Sequence, residues 1–455
     1  MMTAFSMITA LVVTFVVGYF ILKKYKPHVV LMVGGIVLLT LASLLHTGTF
    51  LEEKYLTGFW LFDIFEFIFR TIAKDASGIG LILMAVGGFA VYMEKIGASS
   101  AMVDLCIKPL RKLNAPYLVL ALGYIVGQLL NLFIPSAVGL AVLLMATLYP
   151  VLIELGVSRL SATSVVVTAS CLDLGPASGA SIAAAEVAGL EAMPYFIRYQ
   201  LPVSVVVILV IALTHFFVQR TEDRKIGHSA VMADEVRKKS DVPKIYAILP
   251  LLPLVLLFVF SKLVVTTIQM NVVTAMLISI TISMIFELFR KKGHVHEVFN
   301  SIQIFFDGMG QQFATVVTLV VAGEVFAAGL TAIGAIDIII NACSNAVFGA
   351  IPMTIVMVLV ISGCAIFMGS AGAPFYAFVP LAATIAPSFG VPIIMMAMPM
   401  QLCSGIARSM SPISAVTLAC VGRSKDVTPM DVAKRCFLPM LLGMLVMMVT
   451  TFVMF

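Results

Sequence analysis

Apolar runs long enough to cross a bilayer recur through this chain, and no other feature constrains its fold so tightly. "AFSMITALVVTFVVGYFIL" (4–22) and "VVLMVGGIVLLTLASLL" (29–45) are the first two, each close to the ~20 residues a helix needs to span hydrocarbon. Lipid offers no partners to backbone N–H and C=O groups, so such runs must become helices. Of the 455 residues, 61% are hydrophobic and only 11% charged, too little charge to cover a water-exposed surface of this size. The fold class is therefore all-α polytopic membrane protein. The first run reads as a span and not as a cleaved leader, since no basic residue precedes it and a second run follows closely.

Charge sets the threading, because lysine and arginine resist translocation. One face collects Lys23, Lys24, Lys26, Lys95, Lys108, Arg111, Lys112, Arg159, the polar loop 220–244, and Arg290, Lys291, Lys292, Arg423, Lys425, Lys434 and Arg435. The other keeps Lys54, Arg70, Lys74, Arg198 and Lys262. The first face is thus cytoplasmic, and both termini are expected outside it, in the periplasm. The net charge of +5 belongs to these loops and does not suggest a nucleic-acid partner. Seven cysteines (106, 171, 343, 364, 403, 420, 436) form no CxxC pair, so neither a disulfide framework nor a metal site is expected. An amphipathic arm (49–75) precedes a return span (76–95). Residues 116–152 must leave the cytoplasm and come back, and their uncharged turn "FIPSAVG" (133–139) predicts a re-entrant hairpin.

The second half repeats the first. "FAVYMEKIGA" (89–98) matches "FAAGLTAIGA" (326–335) at an offset of 237, and Pro116, Ser136, Pro176 and Ser178 find partners at nearly the same offset in Pro352, Ser370, Pro412 and Ser414. The halves begin on opposite faces, so the repeats are inverted. Inverted repeats carrying broken helices are the mark of secondary transporters.

Four stretches interrupt apolar helices: "IPSAVG" (134–139), "LDLGPASGAS" (172–181), "MGSAGAPF" (368–375) and "ARSMSPIS" (407–414). Each break leaves free N–H groups and partial positive charge at the start of the next half-helix. Four such starts on one cavity would bind an anion, with serine hydroxyls as further donors. The expected substrate-binding set is Ser136, Ala137, Gly139, Pro176, Ser178, Ser181, Gly369, Ser370, Gly372, Arg408, Ser411, Pro412 and Ser414. Small residues could instead serve only close helix packing. A guanidinium in mid-membrane costs about 2.5–3.5 kcal/mol even on mild scales. Arg408 would offset that by gripping a substrate carboxylate, or by pairing internally with Asp173. Asp173 and Glu186 are the candidates for proton or cation coupling, with Glu324 a weaker one, while His215 reads as packing. No cofactor and no resident metal are expected, the coupling ion being a sodium ion or a proton.

At these motifs the chain resembles the anaerobic C4-dicarboxylate carriers of the Dcu C/D type. "SAVGLAVLLMATLYP" (136–150), "GSAGAPFYAF" (369–378) and "ARSMSPISAV" (407–416) carry the likeness, with "AVGGFAVYMEKIGAS" (85–99) and "FFDGMGQQFATVVTLVVAGEVFA" (305–327) adding to it. The resemblance implies transport of succinate, fumarate or malate across a bacterial inner membrane. It also implies a scaffold plus a transport domain, a homodimer and an elevator motion. On that pattern 1–115 and 245–350 are scaffold, 116–219 and 351–455 are transport domain, and 220–244 is a cytoplasmic loop. Two departures stand out. Ala371-Gly372 occupy positions commonly Gly-Asn, and Pro176-Ala177-Ser178-Gly179-Ala180 stands where many members read P-T-S-G-D. A cation-coupled carrier of another organic anion, or a cation/proton antiporter, is the alternative. An enzyme is disfavoured, because no HExxH, GxSxG or Walker A motif is present.

Overall fold

The computed structural model describes residues 2–23, 25–226, 242–261, 264–265, 267–268, 270–335, 350–424 and 426–455. Most of the loop 220–244 and of the interfacial stretch 336–350 lies outside them. The described secondary structure is helical throughout. Seven of the described helices are long and apolar enough to cross a bilayer, and an eighth span results if Trp60–Ser77 and Ile79–Lys95, bent by 46° at Gly78, count as one.

Among the described residues several elements recur in the same order in both halves. Pro27–Leu45 is matched by Val272–Arg290, and the bent pair by Val295–Ala332, whose π segment Phe313–Val317 falls at the equivalent of the bend. Gly97 and Gly334, 237 residues apart, close these helices with the same left-handed φ of 79°, a backbone region open to glycine at little steric cost. Pro116–Asn131 with Ala137–Glu154 is matched by Ala350–Met368 with Gly372–Ser388, two helix–turn–helix hairpins. Arg159–Thr168 with Gly179–Val187 is matched by Ile394–Arg408 with Ala415–Val421, two helices broken where glycine, serine and proline cluster.

Packing between the halves is reciprocal. Pro27–Leu45 lies against Thr318–Ala332, and Ile79–Lys95 lies against Val272–Arg290. Gly179–Val187 packs on the second hairpin, while Ala415–Val421 packs on the first. Leu201–Lys225 and Pro429–Met454, equivalent to each other, run side by side. Each half thus builds its neighbour's surroundings, as a twofold relation would require.

Local chemistry sets the helix ends. Ser158 caps Arg159–Thr168 by accepting from Ser161 N at 3.1 Å, and Asn271 caps Val272–Arg290 through Thr274 N at 2.8 Å, each satisfying one free donor. The core sits around the broken helices. Met396, Ala397, Met398, Met400, Leu402, Cys403, Ile406 and Ala407 have no exposed surface, whereas Phe15, Phe289, Phe367 and Val453 point outward to where lipid would be.

Candidate functional site

The interruption in the first broken helix is held open by amide side chains from distant segments. Gln401, fully buried, donates to Leu172 O at 3.0 Å and Asp173 O at 3.3 Å. Its Oε1 accepts from Gln200 at 2.9 Å and Tyr195 Oη at 3.3 Å. Gln200 Oε1 in turn accepts from Gly175 N at 3.2 Å, and Asn131 Oδ1 accepts from Leu174 N at 3.3 Å. Buried backbone groups that leave a helix must find such partners. Asp173 sits in this cradle with φ 45°, left-handed backbone that aspartate tolerates better than most residues.

Ile394–Arg408 crosses this break at backbone contact. A methyl on Gly405 would collide with the Cys171 carbonyl oxygen and lie 2.9 Å from Asp173 Oδ2. One turn later the Arg408 side chain reaches across. Nη2 donates to Ser170 O at 2.8 Å, Nη1 stands 3.6 Å from Asp173 Oδ2, and Nε is buried without a partner. Both side chains are largely buried, 12% and 14% exposed.

A second buried arginine is held more closely. Arg435 Nη1 lies 3.2 Å from Asp223 Oδ1 and 3.3 Å from both Ser161 Oγ and Gln219 Oε1. Asp223 also accepts from Ser158 Oγ at 2.7 Å and Tyr117 Oη at 3.1 Å. His215 belongs to the same structural layer, with Nε2 3.0 Å from Thr168 Oγ1 and Nδ1 3.1 Å from Gln219 Nε2. Arg408 differs in its longer ion pair and its unpaired donor.

Arg408 opens onto a cavity of about 320 Å³. Of the residues expected to bind substrate, Ser136, Ser178, Gly372 and Arg408 line it, together with Asp173. Three half-helix starts therefore meet there: Ala137–Glu154 at Pro135-Ser136, Gly179–Val187 at Ser178–Ala180, and Gly372–Ser388 at Ala371-Gly372. Each contributes partial positive charge, Arg408 and Asp173 cancel formally, and the Glu94 carboxylate beside Gly139 opposes only the first start, so the starts at Ser178 and Gly372 keep the pull on an anion.

The remaining expected residues are placed differently. Ala137 and Gly139 lie in the first turn of their helix, just behind the lining. Gly139 N donates to the capping Ser136 Oγ at 3.1 Å, and the Glu94 carboxylate lies beside the same turn. Ser181 is turned inward, donating to Asp173 O at 3.1 Å and accepting from Gln200 at 2.8 Å. Ser370 Oγ accepts from Ala373 N at 3.4 Å and lines a different cavity with Ile413. The fourth half-helix start, with Ser411, Pro412 and Ser414, is absent from the lining. Ser414 caps its own helix through Thr417 N at 3.1 Å, and Thr417 Oγ1 donates to Ser411 O at 2.9 Å. Gly369 covers this break, its α-carbon so near Ile413 that a methyl would be 2.8 Å from the Ile413 oxygen. Pro176 and Glu186 line a separate cavity of about 530 Å³, and Glu186 is exposed.

Several lining residues have no counterpart in the expected set: Gln311, Gln312, Tyr376 and Ser404, with Leu83, Val86, Gly87, Ala90 and Val91. Gln312 lies directly on Gly87, which has no side chain to hold it off. The Tyr376 hydroxyl stands where a methyl on Gly179 would be 2.9 Å away. The cavity is therefore a seam. Hairpins and broken helices form one wall, and Ile79–Lys95 with Gln311–Val316 forms the other.

Comparison with known proteins decides the family. The family model for "C4-dicarboxylate anaerobic carrier" matches residues 5–455. The chain belongs to the C4-dicarboxylate anaerobic carrier family. It is 35% identical over 448 residues to the probable anaerobic C4-dicarboxylate transporter DcuC of Vibrio cholerae, covering 98% of this chain and 97% of the relative. To the anaerobic C4-dicarboxylate transporter DcuC of Escherichia coli K12 it is 34% identical over 451 residues, covering 99% and 97%. The family and these relatives are transporters, not enzymes. The fold is also similar to that of the YdaH transporter of Alcanivorax borkumensis, with a TM-score of 0.59 at 14% identity over 94% of this chain and 98% of that one. MtrF of Neisseria gonorrhoeae follows with a TM-score of 0.57 at 13% identity, covering 94% of each.

Proposed function

We propose that this family member carries C4-dicarboxylates, among them succinate, fumarate and malate, across the bacterial inner membrane by uptake, efflux or exchange. The observation that carries the proposal is Arg408, buried at a cavity where three half-helix starts meet and left with an unpaired donor. In this reading one substrate carboxylate takes the guanidinium and the other faces the starts at Ser136, Ser178 and Gly372. Asp173 is the counter-ion of the empty site, and its 3.6 Å pair with Arg408 gives way when substrate arrives.

The seam-like cavity supports a moving-unit mechanism. The hairpins with 158–218 and 390–454 form the moving unit, and the remaining segments form a fixed scaffold through which two copies associate. The reciprocal packing of the halves supports the inverted repeat that lets such a unit present one site to either side. The excess of lysine and arginine on one face supports periplasmic termini.

Counterflow into proteoliposomes, with labelled succinate against a panel of mono-, di- and tricarboxylates, tests the proposal. Succinate, fumarate and malate should exchange, and mono- and tricarboxylates should not. Absence of exchange with every dicarboxylate overturns it.

A further inference from the structure

The cavity wall formed by Gly87, Gln311 and Gln312 has a repeat equivalent elsewhere in the fold. At the offset of 237 that aligns 89–98 with 326–335, Gly87 corresponds to Glu324, Gln311 to Lys74 and Gln312 to Asp75. The equivalent contact is present. Glu324 Oε2 lies 3.4 Å from Lys74 Nζ, the residue equivalent to Gln311, on the helix pair equivalent to the one where Gln312, the equivalent of Asp75, lies on Gly87. Where one half places neutral amides against glycine, the other places two carboxylates beside one lysine.

Asp75 is the unusual member. Its side chain is 1% exposed, and Oδ1 approaches Lys74 Nζ no closer than 3.9 Å. Its other oxygen, Oδ2, is buried without a partner. The charged groups that act on it are Lys74 on its own helix, Glu324 on the facing helix and Glu186 on the second piece of the first broken helix. Lys74 is 71% exposed, so solvent weakens its hold on the carboxylate, while two further carboxylates repel the ionised form. Among the described residues no group of three or more histidines, cysteines or carboxylates is arranged to hold a metal. A buried carboxyl oxygen in such a setting is satisfied most simply by a proton.

We propose that Asp75, faced by Glu324 and Lys74, is a proton-binding site of the transport cycle. The inference rests on the carrier reading above. When the moving unit presents its cavity to the other side, the wall it meets there carries Asp75 and Glu324 in place of Gln312 and Gly87. Lys74 balances one of the two carboxylates, and a proton taken up by Asp75 removes the remaining negative charge that a dianion would meet, so the proton accompanies the substrate.

The test uses the full chain in liposomes, with labelled succinate, an imposed pH gradient and a trapped pH-sensitive dye. For the native protein, the gradient drives accumulation and the dye reports proton entry. Asp75→Asn, which mimics the protonated form, should lose gradient-driven accumulation and dye response while keeping succinate counterflow. Gradient-driven accumulation in Asp75→Asn equal to native overturns the proposal, as does native counterflow indifferent to pH. Loss of counterflow in a folded Asp75→Asn also overturns it, since Asp75 would then be needed for exchange itself. Should Asp75→Asn not fold, Glu324→Gln decides. Removing that carboxylate should shift the pH midpoint of transport downward, and an unmoved midpoint overturns the assignment. If the native protein exchanges no dicarboxylate at all, the carrier reading fails, and that result is distinct from each of these.

Discussion

Replacing Asp173 with asparagine separates a counter-ion from a merely structural partner. Asparagine tolerates the left-handed backbone at this position, φ 45°, about as well as aspartate does, and the backbone bonds to Asn131 and Gln401 are untouched. At the observed 3.6 Å the gross attraction to Arg408 is about 4–5 kcal/mol for an effective dielectric near 20. Desolvation offsets most of that in a buried pair. A net competition of about 1–2 kcal/mol against an incoming carboxylate corresponds to roughly a five- to thirtyfold change in affinity. Asp173→Asn should therefore bind succinate more tightly by that factor, and the empty protein should melt earlier because Arg408 is left uncompensated. Titration calorimetry on detergent-purified protein reads the first effect and a thermal melt the second. An unchanged or weakened Kd refutes the counter-ion role.

Two further outcomes follow from the packing. Gly405→Ala places a methyl against the Cys171 carbonyl and 2.9 Å from Asp173 Oδ2, an overpacking that typically costs about 1–3 kcal/mol. Succinate exchange should fall steeply while the protein stays folded, and native exchange rates would show that this crossing tolerates movement. In a background free of native cysteines, Gly323→Cys with Ala377→Cys joins Thr318–Ala332 to the second hairpin; a carbon on Gly323 would lie 3.1 Å from the Ala377 α-carbon and 2.5 Å from the Tyr376 oxygen, so transport by the reduced variant is the reference. Oxidation should stop transport and reduction restore it, whereas full activity of the crosslinked form would rule out a moving hairpin.

Much of this arrangement is legible in the chain itself. Apolar runs mark the helices, and glycine, serine and proline mark the breaks. The offset joining Gly97 to Gly334 reappears as one shared left-handed turn. Arg408 is visible because a lone charge in an apolar run demands a partner. Less visible are Gln200 and Gln401, which hold the first break open, and Gln311, Gln312 and Tyr376, which complete the cavity. Their signal is an uncharged amide or hydroxyl within an apolar segment, weaker than a charge and without a fixed spacing to the break it serves. Ser411, Pro412 and Ser414 stand off this cavity for a local reason. Ser414, three residues before Thr417, caps its own helix, and Thr417 turns back onto the Ser411 carbonyl, so this break closes on itself.

Succinate binding to Arg408→Ala in purified protein decides whether the Arg408 guanidinium receives a substrate carboxylate. Losing one partner of a buried charged pair costs about 2–5 kcal/mol, so affinity should fall roughly thirtyfold or more, with Arg408→Lys recovering only part of it. Succinate bound by a folded Arg408→Ala as tightly as by the native protein would contradict the account.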